Sequence, residues 1–217
     1  MIEPEGPGRL PDGTHDDDFQ KKAAKAAAEN GGALALGLGG TGKSKFIELV
    51  TKELEDNYGY KDENGKSKVI LCGFTHVAAT NLGSDGVTVL RSMHRDAKRK
   101  NSAFIFDEAS MISQSLWNVI SRLPFTGNII IIVGDFAGQV GPIGEDAEVN
   151  AKFPNTSFVL DLVNNLVVHF KKFRRGTDEE HFNCVKSISP DKEGMTLDKA
   201  RVMARKRYPC TDRQLHV

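Results

Sequence analysis

Residues Gly37 to Ser44 read G-L-G-G-T-G-K-S and complete the pattern G-x-x-x-x-G-K-[ST]. No other stretch constrains the fold as tightly, because such a loop works only between a buried strand and the first turn of a helix. Ala33-Leu34-Ala35-Leu36 supplies the strand, and residues 45–54 supply the helix, with Phe46, Ile47, Leu49, Val50 and Leu54 on one face. Glycines let the backbone N–H groups turn inward around a polyphosphate, at a helix end that already carries partial positive charge. Gly37, Gly39, Gly40, Thr41, Gly42, Lys43 and Ser44 are therefore the candidate nucleotide-binding residues. In such a loop the lysine reaches the β- and γ-phosphates and the serine holds Mg²⁺, so ATP and Mg²⁺ are the expected ligands.

The rest of the chain alternates strands with helices. Strands are expected over 68–73, 103–106 and 128–133, with further candidates at Phe158-Val159-Leu160 and Leu166-Val167-Val168. Asp18 reads as the N-cap of a helix reaching Glu29, stopped by Asn30-Gly31-Gly32. A further helix is expected over 113–123, with Leu116, Val119, Ile120 and Leu123 on one face and Trp117 in the core. Tyr60 to Lys66 is polar and reads as an exposed loop or hairpin. Ile129 to Val133 is a continuous β-branched run of the kind buried on both faces. This pattern predicts an α/β fold with a mostly parallel sheet covered on both sides, whose ligands collect at the carboxyl ends of its strands.

Two further groups fall at those ends. Asp107-Glu108 closes an apolar strand, where the aspartate would serve Mg²⁺ and the glutamate would orient the attacking water. Gly134 to Ile143 leaves the Ile/Val strand, and Gln139 on that loop can hydrogen-bond a γ-phosphate and move when it is lost.

In order along the chain, G-L-G-G-T-G-K-S, F-T-H-V-A-A-T-N-L, D-E-A-S, G-D-F-A-G-Q-V-G-P-I and F-R-R-G-T-D-E-E-H-F resemble the first RecA-like motor domain of superfamily 1 DNA helicases. They are most similar to the RecD-like branch that moves 5′ to 3′. The resemblance spans about residues 18–190 and implies a P-loop NTPase of the RecA-like, three-layer α/β/α type. It implies that Lys43, Glu108, Gln139 and Arg174 act in hydrolysis, Arg174 by stabilising transition-state charge, and that Ser44 and Asp107 hold the metal. It also implies that Gln20 reads adenine and that Thr75, Ala78 and Asn81 contact nucleic acid. The chain departs from the family at Phe74, where proline is usual, at Leu90, where histidine is usual, and at Val140-Gly141, where Leu-Pro is usual.

The implied partner is single-stranded DNA. A second RecA-like domain, in a longer chain or in trans, would complete the ATP site, and its motifs are absent from these 217 residues. Residues 1–17 read as a disordered lead, 18–190 as the motor domain, and 191–217 as an extension that could begin that second domain, with a helix expected over 195–207. Lysine and arginine balance aspartate and glutamate at 29 each, but residues 1–20 hold six acids against Arg9 alone. The remainder is mildly basic, which permits a polyanionic partner. Basic runs at Arg91 to Lys100, Lys171 to Arg175 and Arg201 to Arg207 are each read first as solvated surface.

Three well-separated cysteines indicate neither zinc nor a disulfide framework and fit a reducing, intracellular setting, without choosing between nucleus and cytoplasm. No run approaches the length of a membrane span. Two functions compete: a DNA-stimulated ATPase motor, and a nucleotide-binding module that hydrolyses little and unwinds nothing. A small-molecule kinase would need an arginine lid and an acceptor pocket, and the Asp135/Gln139 loop and the Ala78-Ala79 turn speak against it.

Overall fold

A computed structural model describes residues 17–96, 98–121, 127–139, 141, 152–176, 178–187 and 196–208. The expected lead before Asp17, Leu123, Val140, Pro142, Ile143 and residues 209–217 lie outside the described residues. Six strands form one sheet: β1 (Gly32–Gly37), β2 (Val69–Gly73), β3 (Val87–Thr88), β4 (Ala103–Asp107), β5 (Ile129–Gly134) and β6 (Val167–Phe170). Their order is β3-β2-β4-β5-β1-β6, and every pairing within this sheet is parallel. The chain is thus a P-loop NTPase α/β fold.

Alternation along the strands divides the core into two layers. Ile129, Ile131 and Val133 of β5 face one side, where α1 (Asp18–Asn30) and α2 (Lys43–Asn57) pack through Ala23, Ala27, Phe46, Val50 and Leu54. Ile130 and Ile132 face the other, against Val89 and Met93 of α4 (Val89–Asp96), Trp117 and Ile120 of α5 (Gln114–Ile120), and Val159 of α6 (Ser157–Leu162). The buried face of α1 is four alanines with Phe19 and Gln20 at its start. Gly31 then ends it in the left-handed conformation at φ 72°.

Several sequence expectations need adjusting. Asp18 is the first residue of α1 rather than its cap, and its carboxylate pairs with Lys22 one turn on at 3.0 Å. Residues 158–160 are helical, not a strand: Thr156 caps α6 by accepting from Val159 N, and Val159 is buried while Phe158 packs partly buried beside it. In α5 the buried face is Trp117 and Ile120, while Val119 is 46% exposed. Residues 60–68 do form a hairpin, bridged at Lys61 and Ser67 and closed by Asp62 Oδ1, which accepts from Asn64 N and Lys66 N.

Between β2 and β4 the chain forms α3 (His76–Asn81), β3 and α4, elements that the sequence pattern had left as a turn and a basic stretch. Buried Asp96 takes Arg95 at 2.7 Å and Arg99 at 2.9 Å, so two of the basic side chains there are committed to holding α4. Nearby Cys72 is buried, and burial pushes its thiol up to about 12. Among the described residues two helices follow the sheet, α7 (Glu179–Ser187) and α8 (Leu197–Arg207). They are joined by a His181–Tyr208 hydrogen bond and by Arg207 pairing with Glu180 at 2.9 Å. Among the described residues no helix is long and apolar enough to cross a membrane.

Candidate nucleotide site

The loop between β1 and α2 is shaped by close approach. Gly40 and Gly42 sit at φ 83° and 96°, where an L side chain is strained. A Cβ at Gly42 would stand 2.6 Å from Gln20 Nε2, and one at Gly40 would stand 2.7 Å from the Phe173 ring. Buried Thr41 closes the loop by donating from Oγ1 to Leu38 O at 2.7 Å. Lys43 leads α2, and its Nζ donates to Gly37 O at 2.6 Å and Leu38 O at 3.0 Å. Burial lowers the pKa of this ammonium, while Asp135 and then Asp107 pull it back up.

Facing it, Asp107 ends β4 and accepts from Glu108 N at 2.9 Å. Glu108 takes a left-handed backbone at φ 52°, an uncommon position for a residue with a side chain and one often found at functional sites. Both carboxyls are held above the usual carboxylate range, in each case chiefly by burial; for Glu108 the charge of Asp107 adds to it, and Lys43 opposes both shifts. Two acids at a strand end, one buried more deeply than the other, suit a metal ligand beside a water-orienting base.

The loop after β5 is laced to both neighbours. Asp135, nearly buried, accepts from Gly39 N at 3.0 Å and from Gly138 N at 2.7 Å. Gln139 Oε1 accepts from Ser110 Oγ at 2.6 Å, tying this loop to the turn that follows Glu108. Gly39, Gly40, Gly42, Lys43, Ser44, Asp107, Glu108 and Gln139 line one cavity of about 590 Å³, together with Gln20 and Arg174. Gln20 is fully buried on α1 against the phosphate loop, a position that a lone glutamine at a helix start does not announce. Gly37 and Thr41 belong to the same loop but line a second, more apolar cavity of about 580 Å³ on its other side, with Leu38, Phe136 and Phe182.

The expected nucleic-acid residues lie elsewhere. Thr75, Ala78 and Asn81 belong to the turn after β2 and to α3, at the carboxyl edge of the sheet, and none lines the nucleotide cavity. Thr75 caps α3 by accepting from Ala78 N at 3.0 Å. Ala78 is buried, so the outward surface of this turn belongs to Thr75, Asn81 and their exposed neighbours His76 and Val77.

Asp135, Ser110 and Arg175 were not singled out as site residues from the sequence. The signal for Asp135 lay in G-D-F-A-G-Q after a buried strand, and that for Ser110 in D-E-A-S. Arg175 was hidden in a basic run, yet it lines the nucleotide cavity.

The model of the AAA domain family matches residues 16–203. Among solved structures, a Pif1 helicase from Candida albicans is 21% identical with a TM-score of 0.61, covering 89% of this chain and 48% of that one. A structure on DNA unwinding at forked dsDNA by two coordinating Pif1 helicases is 18% identical with a TM-score of 0.57, covering 86% and 50%. A Bacteroides Pif1 bound to ssDNA is 19% identical with a TM-score of 0.53, covering 78% and 45%. This chain spans about half the length of those structures, and at these identities the likeness is one of fold. No curated protein sequence matches it.

Proposed function

Because the chain belongs to the AAA domain family, we propose that it is an ATP-hydrolysing motor domain of a helicase acting on single-stranded DNA. The observation that carries this reading is the convergence of Lys43, Ser44, Asp107, Glu108 and Gln139 on one cavity at the carboxyl edge of a parallel sheet. The residues fit the ligand: a Cβ at Gly40 or Gly42 would crowd Phe173 or Gln20, and a lysine and two carboxylates lining one cavity supply the donor types that a polyphosphate and a divalent cation take. Ser44 and Asp107 would hold Mg²⁺, which when bound neutralises charge on the phosphates. Lys43 would bind the β- and γ-phosphates, Glu108 would take the proton of the attacking water, and Gln139 would sense the γ-phosphate. Gln20, buried beside Gly42, would read the adenine.

For the nucleic acid we place the track over Thr75 and Asn81, at the same sheet edge as the ATP site. The Thr75-Ala78-Ala79-Asn81 and Asp135/Gln139 motifs support the RecD-like, 5′-to-3′ assignment. Stepping along a strand would require a second RecA-like domain, in a longer polypeptide or in trans. One observation favours the alternative of a nucleotide-binding module with little turnover: the guanidinium of Arg174, expected on the transition state, is engaged on loop carbonyls.

ATP hydrolysis with and without single-stranded DNA, beside a Lys43→Ala control, tests the proposal. Losing the charge-assisted phosphate contacts should weaken nucleotide binding about tenfold or more. Unchanged affinity would reject the loop assignment, and turnover indifferent to DNA, with the second motor domain supplied, would reject the helicase reading.

A further inference from the structure

Ser110 is 4% exposed and does not line the nucleotide cavity, whereas Gln139 is exposed and does. A bond joins them: Ser110 Oγ donates to Gln139 Oε1 at 2.6 Å, across 29 positions of sequence. Both ends of that bond are held by the backbone. On the serine side, Glu108 turns through the left-handed region at φ 52°, and Met111 N donates to Glu108 O at 2.9 Å, closing the 3₁₀ turn that carries Ser110. On the glutamine side, Gln139 N donates to Asp135 O at 3.2 Å and Gly138 N to Asp135 Oδ1 at 2.7 Å. The two turns meet where β5 ends, since a Cβ on Gly134 would stand 3.2 Å from Ser110 N. A carboxamide has two unlike ends, an oxygen that only accepts and an NH₂ that only donates. Ser110 takes the oxygen. The end left over is Nε2, which among the described residues has no hydrogen-bond partner. Phosphate oxygens are acceptors, so Nε2 is the end a nucleotide needs, and a reversed amide would set oxygen against oxygen.

We propose that Ser110 is a positioning residue for Gln139: by donating to Oε1 it selects the amide orientation in which Nε2 is presented to the terminal phosphate of a bound nucleoside triphosphate. This rests on the nucleotide reading above and on Gln139 as the sensor within it. Without the tether the glutamine keeps the means to bind phosphate, but it must give up rotamer freedom to do so. The same bond ties the sensor to the acids. Ser110 lies two residues after Glu108 in one turn, so a shift of Gln139 on loss of the phosphate pulls on the segment that holds the water-orienting carboxylate.

Calorimetric titration of the whole chain with a non-hydrolysable ATP analogue and with ADP, each with Mg²⁺, gives a ratio of two affinities, from which a general loosening of the site cancels. Gln139→Ala should lower the preference for triphosphate about tenfold, the loss of a hydrogen bond to a charged group. Ser110→Ala should lower it about three- to fivefold, with ADP binding within about twofold of wild type. In a Gln139→Ala background, Ser110→Ala should change the ratio no further, because nothing is left for it to position. Gln139→Glu keeps the acceptor for Ser110 but loses the N–H donors, and it should fall at least as far as Gln139→Ala. A Ser110→Ala variant with wild-type preference, or one whose loss persists without Gln139, overturns the proposal and leaves the site intact. So does wild-type preference in Gln139→Ala or Gln139→Glu. If Lys43→Ala binds both nucleotides as the wild type does, the nucleotide reading itself fails, and the proposal with it.

Discussion

Replacing Asp135 by alanine removes a carboxylate that joins the phosphate loop to the loop after β5. Two hydrogen bonds disappear, from Gly39 N at 3.0 Å and Gly138 N at 2.7 Å. Bonds to a charged acceptor are worth about 1.5–3 kcal/mol each. Gly39 and Gly138 are both exposed, so their freed N–H groups can take water, and the lower end applies, about 3 kcal/mol in total. For a domain of this size each kcal/mol moves the melting temperature by about 2–4 °C, which gives a fall of about 6–12 °C. Asp135→Asn keeps one acceptor oxygen and should lose about half as much.

Thermal unfolding by circular dichroism, without nucleotide, measures both variants. Binding supplies a second readout, because Asp135 also raises the Lys43 ammonium against its burial. Without that carboxylate the lysine sheds its proton at lower pH, so nucleotide affinity should fail earlier as pH rises. An alanine variant melting within about 2 °C of wild type, the shift of less than 1 kcal/mol, would refute the bracing role. So would an asparagine variant that loses as much as alanine.

Asp107, with its pKa raised by burial, binds its proton more tightly in the folded chain than in the unfolded one. Stability should therefore fall as pH rises through and just above the ordinary carboxylate range; Asp107→Asn should melt higher than wild type at neutral pH, with the gap closing in acid, as followed by denaturation across pH. Gly42→Ala should cost at least about 1–2 kcal/mol, because φ is 96° and the new Cβ would stand 2.6 Å from the amide of fully buried Gln20. Urea denaturation checks this, and an unchanged midpoint would show that the loop has another accessible shape.

What could be read from the sequence was whatever a local pattern settles alone. The phosphate loop, the strand ending in Asp107 and the Ile129–Val133 run each combine a period with a neighbouring turn, and all three lie where the pattern puts them. Phe158-Val159-Leu160 failed because three apolar residues suit a strand and a buried helix turn equally; the deciding bond is the Thr156 cap, formed by a residue outside the triplet. In α5 Ile120 and Trp117 are buried as the pattern puts them, but Val119, just as apolar, faces out, and the ring packing of Trp117 on Phe106 and Phe153 helps to set which side is inward. Contacts across large sequence separations were out of reach. Gln20 beside Gly42, Asp135 on Gly39 and Arg174 on Thr41 depend on strand order, and nothing local in the chain states that β1 lies between β5 and β6.

The same strand order decides how this chain can be joined to anything else. Its sheet ends in β3, two residues long, and β6, four residues long, while the longest strands lie inside. Edge strands this short present few open backbone groups on which a foreign strand could grow. Growth by sheet extension is therefore disfavoured, both as a route to assembly and as a route to aggregation. Short edges favour contact with any companion domain through side chains and loops. Those proposed to carry the nucleotide chemistry line one cavity at the carboxyl end, so a companion meeting that face would meet them too.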